Sequence, residues 1–316
     1  MRIDYKEAAE FLAEHDNFII IAHRNPDGDA LGSAFSLCYV LRSLGKNANV
    51  ACDDGFPERY RVTWNGYSPQ DFDVQTVIAV DIADTTLFGD SLSHYADCVD
   101  LCIDHHISNK FFAERTLLNG SASAACEVLY EVYSELGITL NRQAAECVYT
   151  GMATDTGCFR YGNTTGRSHE IAAELFALGI DFTSINRRMF EIKSRARIEA
   201  EAIVLKNMEF YCGGKCAVIA LTKQIMDDFG TDENEFDGLA SLTVQVENVE
   251  VGVTIKQRGE DVYKLSLRSA TAADVSEICT AFGGGGHKAA AGCTLHGTLD
   301  EVKHLIVSAV EAAISI

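Results

Sequence analysis

Phe18-Ile19-Ile20-Ile21-Ala22-His23-Arg24-Asn25-Pro26-Asp27-Gly28-Asp29 sets an apolar run directly against a turn that carries three metal-ligating side chains. A short continuous apolar run reads as a strand buried on both faces of a parallel sheet. The turn then lies at the strand's carboxyl end, where open α/β sheets place their ligand sites. Pro26 and Gly28 bend the chain, so that His23, Asp27 and Asp29 converge where a regular strand would alternate them. Taken alone, the same residues also read as a solvated loop in which Asp29 caps a helix beginning at Ala30.

Working outward, Leu31, Ala34, Phe35, Cys38, Leu41 and Leu44 recur at helical spacing, and Gly45 supplies the stop. Asn47 to Cys52 reads as a strand. Thr76-Val77-Ile78-Ala79-Val80 is a second buried-strand pattern and ends in Asp81, while Leu101-Cys102-Ile103 ends in Asp104-His105-His106. Ligand-type residues thus occupy the same end of successive strands, and neighbouring parallel strands bring those ends together. Helical patterns follow over Ala124–Leu136 and Arg142–Thr150, the latter leading into Gly151-Met152-Ala153-Thr154-Asp155, where Asp155 is a further candidate carboxylate. Ser168–Leu178, Phe182–Met189 and a charged connector, Ser194–Lys206, complete this half.

Beyond the connector the pattern changes to strands at Met208–Cys212, Cys216–Leu221, Val249–Lys256 and Val262–Arg268, the last two flanking a hairpin signal at Arg258-Gly259-Glu260-Asp261. A helix is expected over Leu299–Ser315. The fold class is therefore α/β, with an N-terminal parallel sheet carrying helices on both faces and a smaller C-terminal α+β domain with a mixed sheet. Expected boundaries are 1–190, a linker helix over 191–208, and 209–316.

Composition narrows the functional classes. A net charge of −20 repels long polyanions, so long duplex nucleic acid is not an expected partner, although a short anion can still be held by local cations. Eleven scattered cysteines without a paired C-x-x-C pattern favour reduced thiols. Cys212-Gly213-Gly214-Lys215-Cys216 lacks a second pair and reads as a hairpin turn in preference to half a zinc site. The charged opening residues do not resemble a signal peptide, and no apolar run approaches the ~18 residues of a membrane span, so a cytoplasmic protein without membrane contact is expected.

His23, Asp27, Asp29, Asp81, His105, His106 and Asp155 provide more oxygen and nitrogen ligands than one ion needs. Carboxylates with imidazoles suit manganese, and iron, cobalt, zinc and magnesium stay open on ligand type alone. Two such ions in one site favour phosphoester hydrolysis. In the second half, the loop Gly283-Gly284-Gly285-Gly286 lets backbone N–H groups approach an anion, and His287 and Lys288 follow it directly. The strand-end Arg268 suits bidentate phosphate recognition and equally reads as a surface ion-pair residue.

These motifs, in this order and spacing across almost the whole chain, resemble the DHH phosphoesterase family in its subgroup with a DHH-associated C-terminal domain. Within it the chain is most similar to the short bifunctional oligoribonucleases (nano-RNases) that also act on 3′-phosphoadenosine 5′-phosphate (pAp). The resemblance implies two manganese ions, with magnesium or cobalt as substitutes. His23 and Asp27 would hold one, Asp29, His105 and Asp155 the other, and Asp81 would bridge. It implies that Asp104 orients an imidazole and that His106 lies near the scissile phosphate. It further implies that Arg268, Gly284, Gly285, Gly286, His287 and Lys288 bind the nucleotide. The implied substrates are short single-stranded RNA, dinucleotides or pAp, and a homodimer is compatible. Cyclic or linear dinucleotide phosphodiesterase, manganese pyrophosphatase or exopolyphosphatase, and a nucleotide-binding regulator without turnover are the alternatives.

Overall fold

The computed structural model describes residues 1–231, 236, 238–270 and 273–314. The chain divides into two compact units, Met1–Ile192 and Lys193–Ile316. No helix among the described residues is long and apolar enough to cross a membrane.

The first unit runs β1 (Arg2–Ile3), α1 (Tyr5–Glu14), β2 (Phe18–Ile21), α2 (Gly28–Ser43), β3 (Ala48–Ala51), α3 (Arg61–Trp64), β4 (Thr76–Val80), β5 (Leu101–Asp104), β6 (Arg115–Leu118), α4 (Ala125–Glu135), α5 (Arg142–Asp155), α6 (Gly166–Ala177) and α7 (Phe182–Asn186). Six strands form one sheet in the order β1-β6-β5-β4-β2-β3, and every pair in it is parallel. The chain leaves β2 for β3 on one side and returns to β4 on the other. The turn after β2 therefore sits at the point where strand order reverses, the usual position of a ligand crevice in an open α/β sheet.

Alternation along β2 divides the apolar residues between two layers. Phe18 and Ile20 join a large core with α1, α2, α4 and α5, while Ile19 and Ile21 face a smaller cluster with Phe88 and Val99. Short 3₁₀ turns at Thr85–Phe88 and Ser93–Tyr95 lie on that side. β1, α1, α3 and β6 are not among the expected elements. β1 is only two residues long, and β6 opens on the polar pair Arg115-Thr116. The start of α1 is fixed by a capping box in which Asp4 accepts from the Glu7 amide and Glu7 accepts from the Asp4 amide.

Two helix boundaries differ from the expected ones. α2 begins at Gly28, capped by Asp27 and not by Asp29, because the Asp27 carboxylate accepts from both the Asp29 and Ala30 amides at 3.0 Å. α5 does not stop at Thr150 but continues to Asp155. Gly151 is a poor helix former yet lies in its interior. The reason is close packing: a Cβ on Gly151 would fall 2.7 Å from Asp29 Oδ1 and still nearer the Cys126 thiol, and one on Gly32 would fall 2.5 Å from the Cys147 carbonyl. α2 and α5 thus meet backbone to backbone, one turn from Asp29 on the first helix and one turn from Asp155 on the second.

The second unit comprises α8 (Arg195–Lys206), β7 (Glu209–Tyr211), β8 (Cys216–Leu221), α9 (Lys223–Phe229), α10 (Leu239–Thr243), β9 (Val251–Gly259), β10 (Val262–Ser269), α11 (Val275–Ala281), β11 (Gly285–His287), β12 (Ala290–His296) and α12 (Leu299–Ile314). Ser315, expected at the end of the last helix, lies outside the described residues. The sheet order is β11-β12-β10-β9-β8-β7. It is mixed, since β8 and β9 run parallel while the other pairs are antiparallel. Asp261 adopts φ +55° in the turn between β9 and β10, as the Gly-Glu-Asp signal requires. α11 and α12 cover one face through Val275, Ile278, Val302 and Ile306, and α8, α9 and α10 cover β8 on the other through Ala200, Val204, Met226 and Leu239. All eleven cysteines are free thiols, and Cys212 and Cys216 bracket the short turn between the antiparallel strands β7 and β8.

The helix contact at Gly32 gives a direct test. Gly32→Ala is expected to lower unfolding free energy by about 1–3 kcal/mol, the usual cost of overpacking against atoms that cannot yield, read as a lower denaturation midpoint with an unchanged slope. An unaltered midpoint would contradict the backbone contact.

Candidate metal centre

The carboxyl ends of β2, β4 and β5, with the last residue of α5, bring together three side-chain groups. His23, Asp27 and Asp81 form one, Asp29, His105 and Asp155 a second, and Asp81, His105 and His106 a third, each with its ligand atoms within 4.8 Å of one another. Asp81 belongs to two of the groups. Its side chain is only 3% exposed, its backbone sits at φ +57°, and its Oδ1 is buried without a hydrogen-bond partner. A non-glycine residue in the left-handed region and an unpaired buried carboxylate oxygen are both costly, and they coincide at one residue.

The imidazoles are aimed by their other nitrogens. His23 Nδ1 lies 2.8 Å from the Arg24 carbonyl and His105 Nδ1 lies 3.3 Å from the Ala122 carbonyl. A carbonyl only accepts, so Nδ1 bears a hydrogen in each ring and the neutral ring presents its lone pair at Nε2. Those lone pairs face more acceptors: His23 Nε2 is 3.7 Å from Asp81 Oδ2, and His105 Nε2 is 3.5 Å from Asp81 Oδ1, 3.9 Å from Asp29 and 3.8 Å from Asp155. Acceptors turned towards one another across such gaps call for a cation between them. This donor set fits a hard or borderline divalent ion.

Asp29 is held from behind. Its two oxygens accept from the Ala125 and Cys126 amides at 2.6 and 3.0 Å, so it caps α4, whose N-cap residue Ala124 offers no side-chain hydrogen bond. Asp104 is fully buried; its carboxylate accepts from the His105 backbone amide at 2.8 Å but meets the imidazole of His106 and not that of His105. His106 Nδ1 lies 2.8 Å from Asp104 Oδ1, and Asn109 Nδ2 donates to Oδ2 at 2.6 Å.

Electrostatics follow from this packing. Burial, reinforced by the neighbouring Asp29, Asp27, Asp104 and Asp155 charges, pushes Asp81 well above the ordinary carboxylate range. Burial and the Asp29 and Asp27 charges push Asp155 up to about 8, and burial also raises Asp29 against the pull of His105. For Asp104, burial acts upwards but hydrogen bonds from His106 and Asn109 outweigh it and leave the carboxyl below its usual range. The Asp104 hydrogen bond in turn raises His106, against its burial.

In the second unit, Arg268, the penultimate residue of β10, lies opposite Ala290 of β12, and Ala290 is opposite His287 of β11. Arg268 and His287 therefore share a cross-strand row and one sheet face, separated by an alanine. The glycine run is not a free loop, since Gly285–His287 pairs as an edge strand with β12. A Cβ at Gly284 would fall 2.2 Å from the Gly292 carbonyl, and one at Gly286 would fall 2.5 Å from that of Ala290. The hairpin itself demands those two glycines. Lys288 lies in the turn between the two strands and its amide carbonyl accepts from Val275 at 3.0 Å. Two residues at the metal centre have no motif to announce them. Gly151 leaves room for Asp29, and Asn163 bonds to Asp155; a glycine inside an otherwise helical pattern was the available signal for the first.

Residues 17–152 match the model of the DHH family, N-terminal domain, and residues 213–315 match the DHHA1 domain. The chain belongs to the DHH family, in the arrangement that carries a C-terminal DHHA1 domain. Among its relatives, the bifunctional oligoribonuclease and PAP phosphatase NrnA of Thermus thermophilus is 32% identical over 309 residues, 96% of this chain and 92% of that protein. The protein of the same name from Bacillus subtilis is 25% identical, over 95% of this chain and 96% of its own. The crystal structure of an exopolyphosphatase-related protein from Bacteroides fragilis superposes with a TM-score of 0.89 at 26% identity, covering 98% of this chain and 95% of that one.

The raised carboxyls have a measurable consequence. A carboxyl lifted to about 8 holds its proton at neutral pH in the metal-free protein and must release it to ligate a cation. Manganese titration at pH 7, followed calorimetrically in buffers of different ionisation enthalpy, is expected to show net proton release that falls off by pH 9. Equal heats in all buffers at pH 7 would contradict this electrostatic picture.

Proposed function

We propose that the chain is a manganese-dependent two-metal phosphoesterase that hydrolyses short RNA oligonucleotides to nucleoside 5′-monophosphates and converts pAp to AMP and phosphate. The observation that carries this reading is Asp81, a strained and buried carboxylate shared between two ligand groups, with an oxygen that nothing else in the described structure satisfies. Full-length similarity to proteins named as oligoribonucleases and pAp phosphatases supports the substrate class. Eleven free thiols support a reducing compartment, the cytoplasm.

In this reading His23 and Asp27 hold one ion, Asp29, His105 and Asp155 the other, and Asp81 both, with magnesium or cobalt as substitutes for manganese. The chemistry supplied by such a pair, when bound, is activation of water and neutralisation of charge on the transferring phosphoryl group. The chain's own groups do the rest. The Arg24 and Ala122 carbonyls fix the tautomers of His23 and His105, and the α4 amides fix Asp29. Asp104 holds the His106 ring through Nδ1 and favours its protonated form, in which Nε2 can donate to the leaving oxygen. In the second unit, Arg268 offers a planar fork for a terminal phosphate, with His287, Lys288 and the backbone of Gly284, Gly285 and Gly286 beside it.

A single assay discriminates among substrates. With manganese, a dinucleotide, a five-nucleotide RNA and pAp are expected to be turned over, and Asp81→Ala to lose at least a hundredfold in kcat. Cleavage of pyrophosphate or polyphosphate alone would replace the substrate assignment, and no turnover of any of them would remove the enzyme reading.

Asp104→Asn tests the role of His106. Because Asp104 raises the His106 pKa, the protonated ring persists to higher pH in the parent protein. The alkaline limb of the kcat profile is expected to move to lower pH in the variant. An unmoved limb would exclude His106 as the proton donor.

A further inference from the structure

Asn163 lies in the segment between α5 and α6 and is exposed at the surface, yet its side-chain amide faces inward onto three oxygens. Nδ2 donates to the Ser123 carbonyl at 3.0 Å and to the Asp155 carbonyl at 3.2 Å, and it lies 3.4 Å from Asp155 Oδ2. All three neighbours are acceptors, so the amide nitrogen, and not the amide oxygen, must point at them. Among the described residues no other group donates a hydrogen bond to the Asp155 carboxylate, whose other neighbours are His105 Nε2 at 3.8 Å and the Asp29 carboxylate within 4.8 Å.

The two segments joined by this amide each hold a member of the same ligand group. Asp155 is the last residue of α5, so its carbonyl is one of those left without an intrahelical donor, and its carboxylate sits at the negative end of the helix dipole. Ser123 lies two residues before the Ala125 amide that, with the Cys126 amide, grips Asp29. Ser123 is itself pinned, because its hydroxyl donates to the buried Glu127 carboxylate at 2.6 Å and Ser168 donates to the same oxygen at 2.8 Å. The Asn163 amide therefore fastens the end of α5 to the rigid start of α4. In doing so it fixes the separation of two carboxylates, Asp29 and Asp155, that repel one another.

We propose that Asn163 is a positioning residue for the Asp29, His105 and Asp155 group, holding Asp155 in the orientation in which it ligates a cation. This rests on the proposed assignment of Asp155 as a metal ligand. The fixed donor removes the freedom of Asp155 to swing away from Asp29 when no cation is present, so the group stands assembled before the cation arrives. An isosteric change is the sharpest probe. Asn163→Asp keeps the shape and sets an acceptor against three acceptors, while Asn163→Ala removes the donor without adding repulsion. The side chain is exposed, so neither substitution empties the core.

The experiment is calorimetric titration of the metal-free protein with manganese alone, beside thermal unfolding of the same metal-free samples, for the parent, Asn163→Asp, Asn163→Ala and Asp155→Ala. Partners that orient a ligand typically contribute ten- to hundredfold in metal affinity. Asn163→Asp is expected to weaken one manganese site at least tenfold and leave the other unchanged, Asn163→Ala to weaken the same site by less, and the metal-free unfolding temperatures to stay close to the parent's. If Asp155→Ala loses a site while both Asn163 variants bind as the parent does, the positioning role is overturned and the ligand assignment stands. Parallel weakening of both sites with a lowered metal-free unfolding temperature would also overturn it, because the amide would then serve only the fold. Parent-like binding by Asp155→Ala would overturn the ligand assignment and the inference together.

Discussion

Mutual repulsion among Asp27, Asp29, Asp81 and Asp155 is the constraint on which the first unit depends. Asp29 and Asp81 are almost wholly buried, and charges placed that close in a medium poorer than water raise one another's proton affinity. Left to itself the cluster would separate or stay protonated. The surrounding fold prevents separation. α2 and α5 touch through glycines, α4 docks its amides onto Asp29, and the strand end after β4 holds Asp81 in a left-handed conformation. The left-handed Asp81 and the enforced approach of the carboxylates cost stability in the metal-free chain, a cost that the proposed cations would relieve.

The same principle explains why the imidazoles are tied at Nδ1. A ring free to rotate could turn an N–H towards Asp81 and satisfy it, which would remove the demand for a cation. In the neutral rings, backbone carbonyls at Arg24 and Ala122 forbid that by taking the one hydrogen. His106 is treated differently. Its Nδ1 partner is the Asp104 carboxylate and not a carbonyl, so the ring is stabilised in its charged form. Two neighbouring histidines in one motif are thereby given different chemistry by what lies behind them.

Much of this was legible in the sequence because buried parallel strands advertise themselves as short apolar runs, and His23, Asp81 and His105 follow those runs directly. The parallel order β5-β4-β2 then places their ends side by side. What escaped reading depends on contacts between segments far apart in the chain. The extension of α5 to Asp155 through Gly151 reflects packing of Asp29 and Cys126 against that glycine, which no local propensity encodes. Asp27, not Asp29, caps α2 because Asp29 is already engaged by α4. The glycine run reads as a loop, yet its pairing with β12 is decided by the close approach of Gly292 and Ala290. β1 and β6 are too short or too polar at their start to carry a pattern.

The central claim is that Asp81 is shared by two cations. Electron paramagnetic resonance of the protein loaded with two equivalents of manganese tests it most directly, because a common carboxylate ligand couples the spins of neighbouring ions. The parent protein is predicted to give an exchange-coupled spectrum that collapses to that of isolated manganese in Asp81→Ala. A parent spectrum of isolated ions alone, at full occupancy, would contradict the shared site.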